Sequence, residues 1–271
     1  MPTRMIYAAA LAIFAAGAAM AADPEIKNPL VEGETWADLK YDIVGDREIA
    51  DGSALIALDA PYRAEDAAIV PLHLTQTDPD ADIGSLMIVI DENPAPMAGD
   101  FTFGPGMAPL DFELRVRVNQ YSNIRVIADT GDGLVMTGRF VKASGGCSAP
   151  ASKDPEVALA SMGQMRLRSF GDKPAMSNTR REAQIMIRHP NYSGLQRDQI
   201  TQLFINAHFI DELEVYQGEE LLFTMKGGIS ISENPVFRFA YRDNGAPALR
   251  VRARDTEGNI FEQILPKDGE I

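Results

Sequence analysis

The chain carries one helical pattern near its start and then reads in twos. Between Thr35 and Ile43, the residues Trp36, Leu39 and Ile43 recur at helical spacing and predict a short N-terminal helix. Beyond it, residues 54–58, 68–74 and 85–90 read as strands, and Pro71 assigns the second of them to a sheet edge. The clearest alternation runs from Asp111 to Val118. Phe112, Leu114, Val116 and Val118 take one face, and Glu113, Arg115 and Arg117 take the other. Strands at 124–128 and 134–141 follow, joined by the turn residues Gly131-Asp132-Gly133.

The stretch from Ser144 to Lys153 is small and polar, with Pro150 and Pro155 nearby, and reads as a linker; residues 154–162 predict one or two helical turns. A second strand series occupies 165–170, 183–188, 204–216, 221–225, 236–241, 249–254 and 260–265. Gln217-Gly218, Asn244-Gly245 and Glu257-Gly258-Asn259 supply its turns. Strands do not alternate with helices, which argues against a parallel α/β sheet. The expected fold is all-β, two β-sandwich domains in tandem with a short N-terminal helix. The expected division is 1–22 export signal, 23–143 first sandwich, 144–162 linker and 163–271 second sandwich.

The segment before the helix changes the setting. Arg4 is followed by an alanine-rich apolar run from Ile6 to Met20, then the small-residue site Ala19-Met20-Ala21 and Asp23. This is the three-part pattern of a secretory signal peptide, and the run is short for a membrane span. The expected location is the periplasm, with no membrane association after cleavage. The formal charge of -14 repels polyanions, so nucleic acid is not an expected partner. Net charge serves solubility in any case.

One cysteine occurs, in Gly145-Gly146-Cys147-Ser148. In an oxidising compartment a lone cysteine cannot crosslink its own chain, so it pairs with another molecule or stays a reactive thiol. Glycines before it and Pro150 after it argue against a strand or helix, leaving the sulfur unhindered on an exposed loop. Gly145, Gly146 and Ser148 are its expected flexible flanks, and a disulfide-linked dimer is open to it. No charged neighbour in sequence lowers its pKa from the usual value of about 8.5. A carrier cysteine does not need such activation. A thiol enzyme does.

Other chemistry-bearing residues point less sharply. His73 lies in a strand and reads as a core or edge residue. His189 and His208 read as structural or as candidates for a partner interface. No HxH or CxxC spacing supports a metal, and neither a metal nor another cofactor is expected. Asp78 to Asp82 lacks the glycine and the glutamate of a calcium loop. Gly104-Pro105-Gly106 has no lysine and reads as a turn. Arg166 and Arg168, Arg180-Arg181, and Arg250, Arg252 and Arg254 read as solvated strand faces, with docking to a partner as the sharper alternative.

The first half resembles SoxY, the sulfur-carrying subunit of thiosulfate oxidation. The resemblance rests on Ile88 to Asn93 leading into Pro94-Ala95-Pro96, on Phe101 to Pro109, on Arg115-Val116, on Ser122-Asn123-Ile124, and on Gly145-Gly146-Cys147. The second half resembles SoxZ, its partner subunit, through His189 to Asp198, Ala207 to Ile210 and Ile229 to Phe237. The order looks like the fused SoxYZ-like carriers found alongside quinoprotein dehydrogenases.

The resemblance implies an immunoglobulin-like sandwich for each half, packed as an intramolecular counterpart of a heterodimer. It also implies a sulfur-containing group held on Cys147. Expected partners are periplasmic redox proteins: sulfur-oxidising enzymes, a cytochrome c or a quinoprotein dehydrogenase. In SoxY the cysteine ends a mobile C-terminal arm. Here a whole domain follows, so the arm becomes a loop anchored at both ends. The competing readings are a non-covalent assembly module for a dehydrogenase, with a dispensable cysteine, and a stand-alone thiol enzyme.

Overall fold

The structure, a computed structural model, describes residues 33–150, 155–170 and 180–267. The expected export signal and residues 151–154 of the expected linker lie outside the described residues. Helix α1 (Glu34–Val44) leads into β1 (Ile49–Asp51), β2 (Ile56–Asp59), β3 (Val70–Gln76), β4 (Ser85–Ile90), β5 (Met97–Phe103), β6 (Asp111–Val116), β7 (Ser122–Asp129) and β8 (Leu134–Val141). Helix α2 (Pro155–Ala160) precedes the second half. That half comprises β9 (Met165–Phe170), β10 (Arg180–Ile187), β11 (Ile210–Gln217), β12 (Glu220–Gly227), β13 (Val236–Arg242), β14 (Ala248–Asp255) and β15 (Ile260–Pro266).

Two sheets face each other, ordered β1-β8-β7-β4-β5-β12-β11-β14-β15 and β2-β3-β6-β13-β10-β9. The fold is all-β, with an immunoglobulin-like sandwich in each half, as the alternation and the resemblance imply. Both sheets cross from one half to the other. In one layer β5 pairs antiparallel with β12, Phe101 opposite Met225 and Phe103 opposite Phe223. In the other, β6 pairs with β13, Phe112 opposite Phe239. The halves therefore form one continuous sandwich. The pairing covers four strand edges that would otherwise expose unpaired amides and carbonyls.

Aromatic rings fill the space between the layers at this seam. Phe112 meets Phe223 edge to face at 5.2 Å and Phe101 at 5.4 Å, and Phe223 meets Phe239 at 5.2 Å. All four rings are buried, and one hydrophobic cluster runs through both halves. Each such side chain contributes about 1.5–3 kcal/mol by leaving water.

Helix α1 is fixed by Trp36, buried under the Arg125 guanidinium at 4.4 Å. Arg125 is itself clamped by Asp91 through Nε–Oδ1 at 2.8 Å and Nη2–Oδ2 at 2.7 Å, a buried two-pronged pair.

Three expectations fail locally. Pro71 does not mark an edge strand, because β3 lies between β2 and β6. The proline is tolerated because β2 ends opposite His73, so β2 puts no ladder partner beside Pro71. Residues 204–209 are not strand; β11 begins at Ile210, and Phe204 makes only an isolated bridge to Arg197. Arg117 does not share the outer face of Glu113 and Arg115. The ladder of β6 ends at Val116, the alternation stops there, and Arg117 turns inward to 1% exposure.

Candidate functional site

Cys147 lies in a turn that follows β8, packed against the chain leaving β6 where the two halves meet. The Gly145 and Gly146 amides donate to the carbonyls of Asn119 (2.8 Å) and Val118 (3.1 Å). Gly145 has φ +79°, a conformation that favours glycine. A Cβ on Gly146 would lie 2.0 Å from the Ala67 carbonyl oxygen and 2.7 Å from that of Val118, so the close approach requires glycine. The Ser148 amide closes the turn on the Gly145 carbonyl at 3.2 Å.

The second half grips the same turn. Ser193 donates its hydroxyl to the Cys147 carbonyl, and the Gln196 amide donates to the Ala149 carbonyl at 3.1 Å. Ser193 and Gln196 are buried and linked to each other, the Ser193 amide donating to Gln196 Oε1 at 3.2 Å. A cavity of about 270 Å³ opens beside the turn, lined by Ser148, Pro150, Leu195, Arg197, Asp198, Gln199 and Gln202.

The exposed thiol expected from the sequence is not what the structure contains. Cys147 is 0% exposed. Its glycine flanks are not free hinges either: both amides are hydrogen-bonded, and Gly146 is buried. Ser148 alone of the three expected flanks is exposed. Small residues gave no local reason for burial. They are instead what allows the turn to sit against residues 117–119. Burial pushes the Cys147 thiol up to about 11, against a smaller downward pull from the Arg117 guanidinium. The sulfur in this closed arrangement is a protected, neutral thiol.

Arg117 is the charged group beside this turn that sequence reading placed wrongly. One Nη donates to the Ile231 carbonyl and more weakly to that of Ile229 (3.4 Å), while Nε is buried with no hydrogen-bond partner among the described residues. Its own amide donates to the Ser230 carbonyl across the seam at 2.7 Å.

His189 and His208 do not lie at an interaction surface; they are 1% and 5% exposed. Their rings meet edge to face at 4.8 Å, and both Nε2 atoms face Asp255 Oδ2, at 3.4 Å and 2.8 Å. Asp255 also accepts from the Asn259 side chain and from the amides of Glu257 and Asn259. The three ligand-type atoms lie within 4.8 Å of one another, close enough to ask whether a metal fits. The donor chemistry argues against it. The Asn191 amide donates to His189 Nδ1 at 3.0 Å, which leaves the ring proton on Nε2, pointing at Asp255. Binding a metal there would move that proton to Nδ1, against the Asn191 N–H.

The cluster instead pins the base of the segment whose tip grips Cys147. His208 pairs backbone to backbone with Tyr192 at 2.8 and 2.9 Å, and Asn191 accepts from the Ile210 amide at 3.1 Å. Ser193 follows directly. Neither Asp255 nor Ser193 carried a sequence signal of its own, since both roles depend on distant partners.

The strand arginines are paired on the sheet face. Arg250 faces Glu262, Arg252 faces Glu214, and Arg254 meets Asp211 at 2.8 Å. His73 is half-buried and paired with Asp111 at 2.8 Å. No helix among the described residues is long and apolar enough to cross a membrane.

Comparison with known proteins finds two families in the chain. The family described as sulfur oxidation protein SoxY matches residues 40–147, ending on Cys147. The family described as sulphur oxidation protein SoxZ matches residues 171–265. No curated protein matches the chain. Among solved structures, the sulfur carrier protein SoxY from Chlorobium limicola f thiosulfatophilum is 30% identical, covering 40% of this chain and 94% of that one, with a TM-score of 0.34. With a SoxY-family half joined to a SoxZ-family half through both of its sheets, the chain belongs to the fused SoxYZ-like carriers of sulfur oxidation.

Proposed function

We propose that this protein carries a sulfur-containing group covalently on Cys147 and presents it to partner enzymes in the periplasm. The observation that carries the reading is the position of the cysteine. It is the last residue of the SoxY-family match, on a turn held to the second half by two side-chain hydrogen bonds. Loading follows thiol–disulfide exchange: the Cys147 thiolate attacks one sulfur of a disulfide-type donor, a new S–S bond forms, and the other sulfur leaves with the electron pair as a thiolate. No external oxidant is consumed. The buried thiol must first be uncovered, so the turn from Ser144 to Pro150 opens, and partners act on the open form. The protein works as a substrate of other enzymes rather than as a catalyst. Sulfur-oxidising enzymes, a cytochrome c or a quinoprotein dehydrogenase are the partners proposed.

Intact-mass spectrometry of protein isolated from its native periplasm tests this reading. Adducts on Cys147, removed by reductant and absent from Cys147→Ala, are the expected result. Unmodified protein under all sulfur-oxidising conditions overturns it.

The burial of Cys147 favours a second reading, a non-covalent assembly module for a periplasmic quinoprotein dehydrogenase. On that reading Cys147→Ser keeps both partner binding and growth in a complementation assay. On the carrier reading it abolishes growth.

A further inference from the structure

We propose that His189 is the trigger of an acid-operated latch on the cysteine turn: by taking up a proton it releases the segment that holds Cys147 closed. The inference deepens the carrier reading, since it concerns access to Cys147, but the latch itself needs no cargo.

A continuous set of contacts links the ring to the turn. His189 Nδ1 accepts from the buried Asn191 amide at 3.0 Å. Asn191 has φ +43°, a conformation that costs a residue with a side chain and has to be held in place. Its side chain holds it by donating to the Ser232 carbonyl at 3.2 Å and accepting from the Ile210 amide at 3.1 Å. Tyr192 follows, paired with His208 through both backbone groups. Ser193 then grips the Cys147 carbonyl, and Gln196 grips that of Ala149.

The neutral ring fits this arrangement and the charged ring does not. With Nδ1 accepting, the ring proton sits on Nε2 and faces Asp255 Oδ2 at 3.4 Å. A second proton has only Nδ1 to occupy, where it points at the Asn191 N–H. Two donors then oppose each other, and a buried amide loses its acceptor. His208 differs: its Nε2 meets Asp255 at 2.8 Å and its Nδ1 lies 3.6 Å from Glu257, so a proton on either nitrogen faces a carboxylate. The His208 ring, 4.8 Å away, disfavours a charge on His189, as burial does more strongly, against the pull of Asp255. Phe261 covers the ring of His189 from β15, at 6.2 Å. Glu233, on the loop whose Asn234 bonds the His189 backbone, acts on Tyr192 and Arg117. Arg188, the preceding residue, is exposed. When the segment lifts, the ring meets water and takes its proton at the ordinary value, so acid favours the open turn.

The test is the rate at which 4,4'-dithiodipyridine, a disulfide that reacts with thiols in acid, modifies Cys147 in the intact chain. Dividing by the rate for the same chain unfolded in urea at the same pH removes the chemistry of the thiol and leaves the open fraction. That quotient is expected to rise about tenfold from about pH 7.5 to about pH 5.5, the change set by one group of pKa about 6.5 that is protonated only when open. About 1 M urea is expected to leave the quotient at the lower pH unchanged, because local opening exposes little surface. A level quotient in the unmodified protein overturns the proposal, and that comparison needs no variant. So does a quotient that climbs with urea as steeply as global unfolding, or a rise that persists in folded His189→Gln. An intact pH response in a protein that never carries native adducts on Cys147 supports the latch while removing the carrier reading.

Discussion

Ser193, in the second half, donates its hydroxyl to the backbone carbonyl of Cys147, in the first. The bond puts control of the cysteine turn in the hands of the other family module. Removing a buried donor leaves its acceptor unsatisfied at a cost of about 1–3 kcal/mol. Ser193→Ala is therefore expected to speed alkylation of Cys147 by roughly fivefold to a hundredfold, with the folded state otherwise retained. Stopped samples analysed by mass spectrometry give the rate. An unchanged rate means that opening does not break this bond.

Gly146 offers a second way to unseat the turn. A methyl group there collides with backbone oxygens of Ala67 and Val118, neither of which is the end of a flexible side chain. Gly146→Ala is expected to expose Cys147 to thiol reagents at near the rate of the unfolded chain, while the urea midpoint moves much less than for a core substitution. If the cysteine stays protected, the turn has room that this geometry does not provide.

The seam predicts cooperativity. Phe112 packs against Phe223 and Phe237 of the other half, so truncating it damages both halves at once. Phe112→Ala is expected to cost about 3–5 kcal/mol. Urea unfolding is expected to remain one transition by fluorescence and circular dichroism. Two separate transitions in the unmodified protein would show that the halves fold as independent units.

The histidine cluster predicts acid sensitivity. His189 is held below the ordinary imidazole value, first by burial and then by His208, against the opposing pull of Asp255. A base depressed in the fold takes its proton first in the unfolded chain, so stability falls as pH drops through about 6.5. For Asp255, burial would raise the pKa, but hydrogen bonds from Asn259 and His208 outweigh it and hold the carboxyl at about 2. Its contribution is present above the ordinary carboxyl value of about 3.9 and is lost as pH falls below that value. The urea midpoint is expected to fall between about pH 7.5 and about pH 5.5, and His189→Gln to flatten that fall. A midpoint that is level across this window contradicts the assignment of His189 as a buried neutral ring.

The class of the fold was legible because sheet burial writes a period of two into the chain. Ser85–Ile90, Leu134–Val141 and Met165–Phe170 come out with the expected boundaries. Met97–Phe103 escaped, because Ala98 and Gly99 dilute its alternation. The three-residue β1 is too short to show a period. Cys147 could be singled out by its solitude and its flanks, yet its environment could not. Glycines next to a cysteine fit an open hinge and a tight turn equally well, and the contact with Ala67 and Val118 decides between them.

By itself the sequence determined the two β-rich modules, their order and the one thiol set between them, since periodicity and residue identity are local properties of the chain. Only the tertiary structure decided that the modules share both sheets, that Arg117 turns inward, and that Ser193 and Gln196 close over Cys147. Each of these depends on residues tens of positions apart meeting at one seam. There, edge pairing and exclusion of water override the local preference of a polar loop to face solvent.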